Sequence, residues 1–123
     1  MPIRTWYRGY DKSFPNYGTR DGWGLWLTDD PGYAGLYPAG PLLPKDSPLR
    51  GTASFTVDTD GLRLLSEGDV YDFELDAWTA DPDTCRIISA MGFDGWTCHY
   101  DETDACGLCI VNPEIIKKIV TTQ

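Results

Sequence analysis

The sequence is poor in the groups that carry most enzyme chemistry. It holds one histidine, His99. Nucleophilic catalysis needs a base beside the nucleophile, and no Ser or Cys is spaced to pair with that imidazole, so His99 reads as structural. No Gly-rich phosphate loop of either well-known spacing is present, so a nucleotide would have to be held by another arrangement. No apolar run approaches the ~20 residues that span a bilayer. The start, MPIRTWYRGYD, lacks the apolar core of a signal peptide. The expectation is a cytoplasmic protein without membrane contact, in which Cys85, Cys98, Cys106 and Cys109 are free thiols. Cations are scarce too, 10 Lys and Arg against 19 Asp and Glu, for a formal charge of −9. Non-specific nucleic-acid binding depends on Lys and Arg displacing counterions, so nucleic acid is not an expected partner. The surplus carboxylates either keep the protein soluble or meet a basic protein partner.

What is there begins with aromatic residues, five Trp and seven Tyr in 123 residues. They fill cores or line ligand clefts, because each offers a large area with few rotors. The length suits one domain, residues 1–123, burying about two-thirds of the unfolded surface. The stretch 24–37, GLWLTDDPGYAGLY, is the organising one. Leu25, Trp26 and Leu27 between Gly24 and Thr28 read as a short buried strand. Asp29 and Asp30 can cap a helix N-terminus, and Pro31 suits the first turn. A short helix is expected there, with Tyr33 and Tyr37 one turn apart on the same face. A strand closing in a hydroxyl and a helix carrying phenol rings would together line a small-molecule pocket.

Elsewhere the pattern predicts a first strand over 3–7, ending at Arg8 and Gly9, where a glycine admits a ligand close to the backbone and Arg supplies donors. A surface Arg before an ordinary turn is the alternative. Residues 11–22 read as loop. The run 38–48, with prolines at 38, 41, 44 and 48, excludes helix and central strand and reads as a long loop or a lid. Residues 51–58 alternate as a strand with Ala53, Phe55 and Val57 on one face, and 62–65 extend or repeat the edge. Residues 67–80 give no clean period. Asp81 and Pro82 start a helix with Cys85, Ile87, Ile88, Ala90 and Met91 as its apolar stripe, closed by Gly92. Asp94 and Gly95 turn into a strand from Trp96. Residues 101–104 form an acidic loop, 107–111 a strand, Asn112 and Pro113 a bend, and 115–121 a last strand. The sum is a β-rich α+β domain with short helices packed on small sheets.

Cys106 and Cys109 form a CxxC with Cys98 and His99 upstream, all sound zinc ligand types. Residues three apart on a strand point to opposite faces, so a zinc knuckle would need a turn at Gly107 and Leu108. Buried thiols are the reading preferred here, and no metal is expected.

The order YRG at residues 7–9, GLWLTDDPGYAGLY, GTASFTV, a helix running into MGFDGW at 91–96, and LCIVNPEIIKKI at 108–119 resembles the ADP-ribosyltransferase-like fold, most of all its small phage and bacterial versions. The resemblance spans nearly the whole chain, although each motif is short. It implies two small antiparallel sheets with short helices around a central cleft that holds NAD⁺. It further implies that Arg8 holds a ribose or phosphate, that the Gly9 backbone bonds the nicotinamide amide, that Thr28 braces the site, and that Tyr33 or Tyr37 stacks on the ring. Transfer of ADP-ribose passes through an oxocarbenium-like state that a nearby carboxylate stabilises. The family's catalytic Glu falls at Gly107 in this chain. Asp104 is the best-placed substitute, with Glu102 and Asp101 beside it.

Two functions follow from the resemblance. One is an NAD⁺-dependent mono-ADP-ribosyltransferase acting on a protein target, a phage or bacterial effector with Arg8, Tyr37 and Asp104 as its catalytic set. The other is a non-catalytic domain of the same fold that binds NAD or a related nucleotide, or blocks a protein partner. A third reading, independent of the fold, is an acidic inhibitor that occupies a basic groove.

Overall fold

The β-prone run IRTWYRGYD forms β1 (Ile3–Asp11) in the computed structural model, which describes residues 3–30, 46–75, 77, 80–99 and 106–121. This strand outruns the expected five residues, so Arg8 and Gly9 lie inside it rather than past its end. The cause is non-local. β1 pairs antiparallel with β3 (Arg50–Asp58) over its full length, from Ile3↔Asp58 to Asp11↔Arg50. Four further strands, β2 (Leu25–Thr28), β4 (Leu64–Ser66), β5 (Gly95–His99) and β6 (Cys106–Ile110), complete a single six-stranded sheet in the order β3-β1-β2-β6-β5-β4. The architecture is mixed α+β.

Among the described residues the strands form one sheet, where a pair of small sheets was expected, although its two blocks are lightly joined. β1 meets β2 through one register pair, Tyr7↔Thr28, whereas β2 and β6 pair at four positions and β5 and β6 at five. The residues expected to extend the β3 edge lie instead at the other edge, where β4 runs parallel to β5.

Side chains alternate across the sheet, and each face has its own core. Trp6, Phe55, Val57, Leu25, Leu27, Leu108 and Ile110 fill one, closed by Ile115, Ile116 and Ile119. Those three isoleucines belong to α3 (Pro113–Thr121), a helix where a strand was expected. β-branched residues favoured the strand reading, but local chemistry favours helix. The Asn112 side chain accepts from the Glu114 N–H at 3.0 Å, Pro113 occupies the first turn, and the isoleucines fall at i, i+1 and i+4 on one face.

The opposite face packs Leu65, Trp96, Cys109 and Val111 beneath Val70, Cys85 and Ile88. Val70 lies on α1 (Glu67–Asp72), which a reciprocal Ser66–Asp69 capping box starts. Cys85 and Ile88 lie on α2 (Pro82–Ala90), whose Asp81 cap accepts from the Thr84 N–H at 2.8 Å. The buried stripe of α2 is Thr84, Cys85 and Ile88; Ile87 and Met91, expected in it, are 40% and 39% exposed. The stripe is narrower than expected because only one side of this short helix meets the sheet.

Asp94 ties three chain segments together. Its carboxylate accepts from the Arg63 N–H at 2.9 Å and from the Asn112 amide at 3.0 Å. Its backbone N–H donates to the Arg63 carbonyl and its carbonyl accepts from the Val111 N–H, both at 2.8 Å. No helix among the described residues is long and apolar enough to cross a membrane.

Candidate functional site

Register brings three of the motif positions together. Thr28 stands opposite Tyr7 on β1 and opposite Gly107 on β6, and Gly107 in turn stands opposite Cys98. Because alternate residues share a face, Tyr7, Gly9, Thr28 and Gly107 all belong to the Trp96 face. Thr28 is buried, and its hydroxyl accepts from the Asp30 N–H at 3.3 Å. Opposed residues in an antiparallel pair hold their Cβ atoms ~5 Å apart. A carboxylate on the strand at 107 would therefore lie beside the Thr28 hydroxyl, and in this chain Gly107 provides no side chain there. The hydroxyl side chains Thr5, Thr52, Ser54 and Thr56 are exposed on the same face of β1 and β3.

Arg8 leaves β1 on the other face, with Trp6 and Tyr10. Its Nε donates to the Tyr17 carbonyl at 2.7 Å, and its two terminal nitrogens donate to the Trp26 and Gly18 carbonyls at 3.2 and 3.3 Å. Tyr17 packs edge-on against Tyr10 and Phe55 on that side. The guanidinium thus fills the gap that opens where β1 and β2 diverge past Tyr7↔Thr28, and it pins the 3-10 turn Asn16–Gly18 over it. Burial lowers its pKa from the ordinary value, with the Cys109 thiol acting weakly the other way. The structure does not bring Arg8 to the face that carries Thr28.

Asp29 prolongs the β2–β6 ladder. Its N–H donates to the Cys106 carbonyl at 3.1 Å and its carboxylate accepts from the Cys106 N–H at 2.8 Å. That carboxylate is the nearest acid in sequence to Thr28 and is held by backbone. Tyr33 and Tyr37 with their expected helix, residues 38–45 of the proline-rich run, and Asp101, Glu102 and Asp104 lie outside the described residues. Sequence reasoning overlooked Tyr7, the phenol ring opposite Thr28. Strand alternation from Trp6 would have put Tyr7 on the opposite face, but its partner depends on pairing that no local pattern records.

Cys106 and Cys109 lie on strand β6, with no turn between them, and belong to opposite faces: Cys109 packs in the core under α1 and α2, Cys106 against the α3 core. Among the described residues no three His, Cys, Asp or Glu side chains converge on a metal position. His99 Nδ1 lies 3.9 Å from Cys106 Sγ. Burial raises the Cys85 thiol pKa to about 11, and that of Cys109 well above the usual thiol value. A thiol-specific chromogenic reagent should therefore modify Cys106 rapidly in the native protein and reach Cys85, Cys98 and Cys109 only on unfolding. The same burial fixes a pH effect. Between the unfolded thiol pKa of 9.0 and about 11, the unfolded chain loses the Cys85 proton while the folded chain keeps it. Stability should fall as pH rises through that window, as denaturation at stepped pH would show.

An open groove of about 700 Å³ runs between Trp23, Arg86 and Lys117. It borders Val111 and so lies beyond the Leu25↔Ile110 end of β2 and β6, away from the Thr28↔Gly107 end. No protein-family model, no curated protein and no solved structure matches the chain.

Proposed function

We propose that the chain is an ADP-ribosyltransferase-like domain that captures NAD⁺, or a nucleotide related to it, in the cytoplasm without transferring ADP-ribose. The observation that carries this reading is the register pair Thr28↔Gly107. It supports a site on the Trp96 face, where Tyr7, the Gly9 backbone and Thr28 supply a ring, backbone groups and a hydroxyl; the stacking role of Tyr33 or Tyr37 rests on the family resemblance alone. The same pair argues against turnover. An oxocarbenium-like transition state needs a preorganised negative charge; among the described residues position 107 offers none, and the Asp29 carboxylate is engaged by the Cys106 N–H. Nor does Arg8 hold the ligand in this reading, since its guanidinium is committed to three carbonyls on the far face.

Calorimetric titration with NAD⁺, together with incubation of the protein, labelled NAD⁺ and cell lysate, tests the proposal. The expected result is saturable binding, weakened about tenfold in Thr28→Val through loss of one hydroxyl contact, with no label on any protein. Label on a protein band, lost in Asp104→Ala, would instead establish the transferase. The charge of −9 favours one further reading, an inhibitor of a basic protein. No response to NAD⁺, with salt-sensitive binding to such a partner, would establish that.

A further inference from the structure

Nothing in the sequence pairs His99 with a nucleophile, but strand register does. His99 and Cys106 close the β5–β6 ladder as an opposed pair, so their side chains leave the sheet on one face, beside each other. His99 Nδ1 lies 3.9 Å from Cys106 Sγ. His99 is exposed and Cys106 half-buried, so a small reagent can reach the sulfur. The strand that carries the thiol is clamped on its other side as well: the Cys106 carbonyl accepts from the Asp29 N–H at 3.1 Å, and the Cys106 N–H donates to the Asp29 carboxylate at 2.8 Å. A nucleophile with a base in reach is the minimal arrangement for chemistry at sulfur. With its ring proton on Nε2, the imidazole presents the Nδ1 lone pair to the thiol.

The other three cysteines decide what kind of chemistry this can be. Cys98 and Cys109 leave the sheet on the opposite face, where Cys85 packs from α2, and all three are buried. None can attack a bond formed at Cys106, so an adduct there has no internal thiol to expel it.

We propose that Cys106 is a site of S-thiolation, at which a small disulfide exchanges onto the protein with His99 as the base. As Cys106 Sγ attacks one sulfur of the disulfide, its proton passes to His99 Nδ1. A new S–S bond joins Cys106 to one half of the disulfide, the old S–S bond breaks, and the departing thiolate takes the proton back from the imidazole. Cys106 is oxidised, the departing half is reduced to a thiol, and His99 is regenerated. The pair lies on the face away from Thr28 and Gly107, so thiolation is independent of nucleotide capture and either can fail alone.

Reaction of the full chain with an excess of the disulfide of mercaptoethanol, an uncharged probe, followed by mass spectrometry, tests the proposal. A single adduct is expected, mapped to Cys106 and absent from Cys106→Ser. His99→Ala removes an exposed side chain and should unfold at the wild-type temperature, yet react about tenfold more slowly. Free imidazole added to the solution should restore much of the rate lost in His99→Ala while changing the wild-type rate little, an effect that a merely structural histidine would not give. A wild-type rate in His99→Ala would overturn the proposal. So would a slowed variant that imidazole does not restore, or an adduct on Cys85, Cys98 or Cys109 ahead of Cys106.

Discussion

Gly95→Ala should destabilise the fold by at least ~4 kcal/mol, which is most of what a small domain has to spare. A Cβ at this position would overlap the carbonyl oxygen of Cys109 and approach the Cys109 carbonyl carbon and the Ile110 Cα to 3.0 Å. All three atoms are backbone of the central strand β6, directly opposite Gly95 in the ladder, so no rotamer change relieves the contact. Separation of β5 from β6 would also pull Asp94 away from Val111 and Asn112 and lift Trp96 out of the core, where its indole N–H donates to the Ala77 carbonyl at 3.1 Å. Gly24→Ala is the informative comparison. Its Cβ would meet the Cys109 Sγ at 2.7 Å and the Ala80 Cβ at 2.8 Å, both side-chain atoms, and overpacking of that kind costs ~1–3 kcal/mol. Urea denaturation should rank Gly95→Ala well below Gly24→Ala, and a loss under ~1 kcal/mol for Gly95→Ala would show that β5 and β6 do not approach as described.

Arg8→Lys should cost ~3 kcal/mol, a fall in midpoint temperature of about 10 °C for a chain of this size. Lysine keeps the charge but offers a single ammonium in place of a planar fork, and it cannot reach the Tyr17, Gly18 and Trp26 carbonyls together. The carbonyls left without a donor lie where only one register pair holds β1 to β2, so the loss should also loosen the β1–β3 ribbon from the rest of the sheet. Amide hydrogen exchange would report this as faster exchange in β1 and β3 than in β5 and β6. If Arg8 instead served a ligand on the other face, Arg8→Lys would melt normally and fail only in binding.

Much of the local structure can be read from the residues. The alternation at Ala53, Phe55 and Val57 and the Asp81–Pro82 helix start each follow from neighbours in sequence, and each is found where expected, whereas the turn expected at Asp94 and Gly95 falls earlier, at Met91 and Gly92, and Gly95 already belongs to β5. What escaped reading is non-local or ambiguous. Isoleucines at 115, 116 and 119 satisfy a strand and a helix almost equally, and the Asn112 cap decides between them. Arg8 at a supposed strand end looks like a ligand group until pairing with β3 extends the strand past it and its guanidinium finds three carbonyls. The single sheet rests on Tyr7↔Thr28, a contact between residues far apart in sequence. Of the candidate site, the Thr28 and Gly107 positions come from the motif order, but their adjacency comes only from strand register.

Nucleotide capture at that adjacency is most directly tested by titrating ¹⁵N-labelled protein with NAD⁺ and following the backbone amide resonances. Saturable shifts clustered at Gly9, Thr28 and Gly107 are the predicted result. An unchanged spectrum, or shifts confined to the groove around Trp23, Arg86 and Lys117, would contradict it.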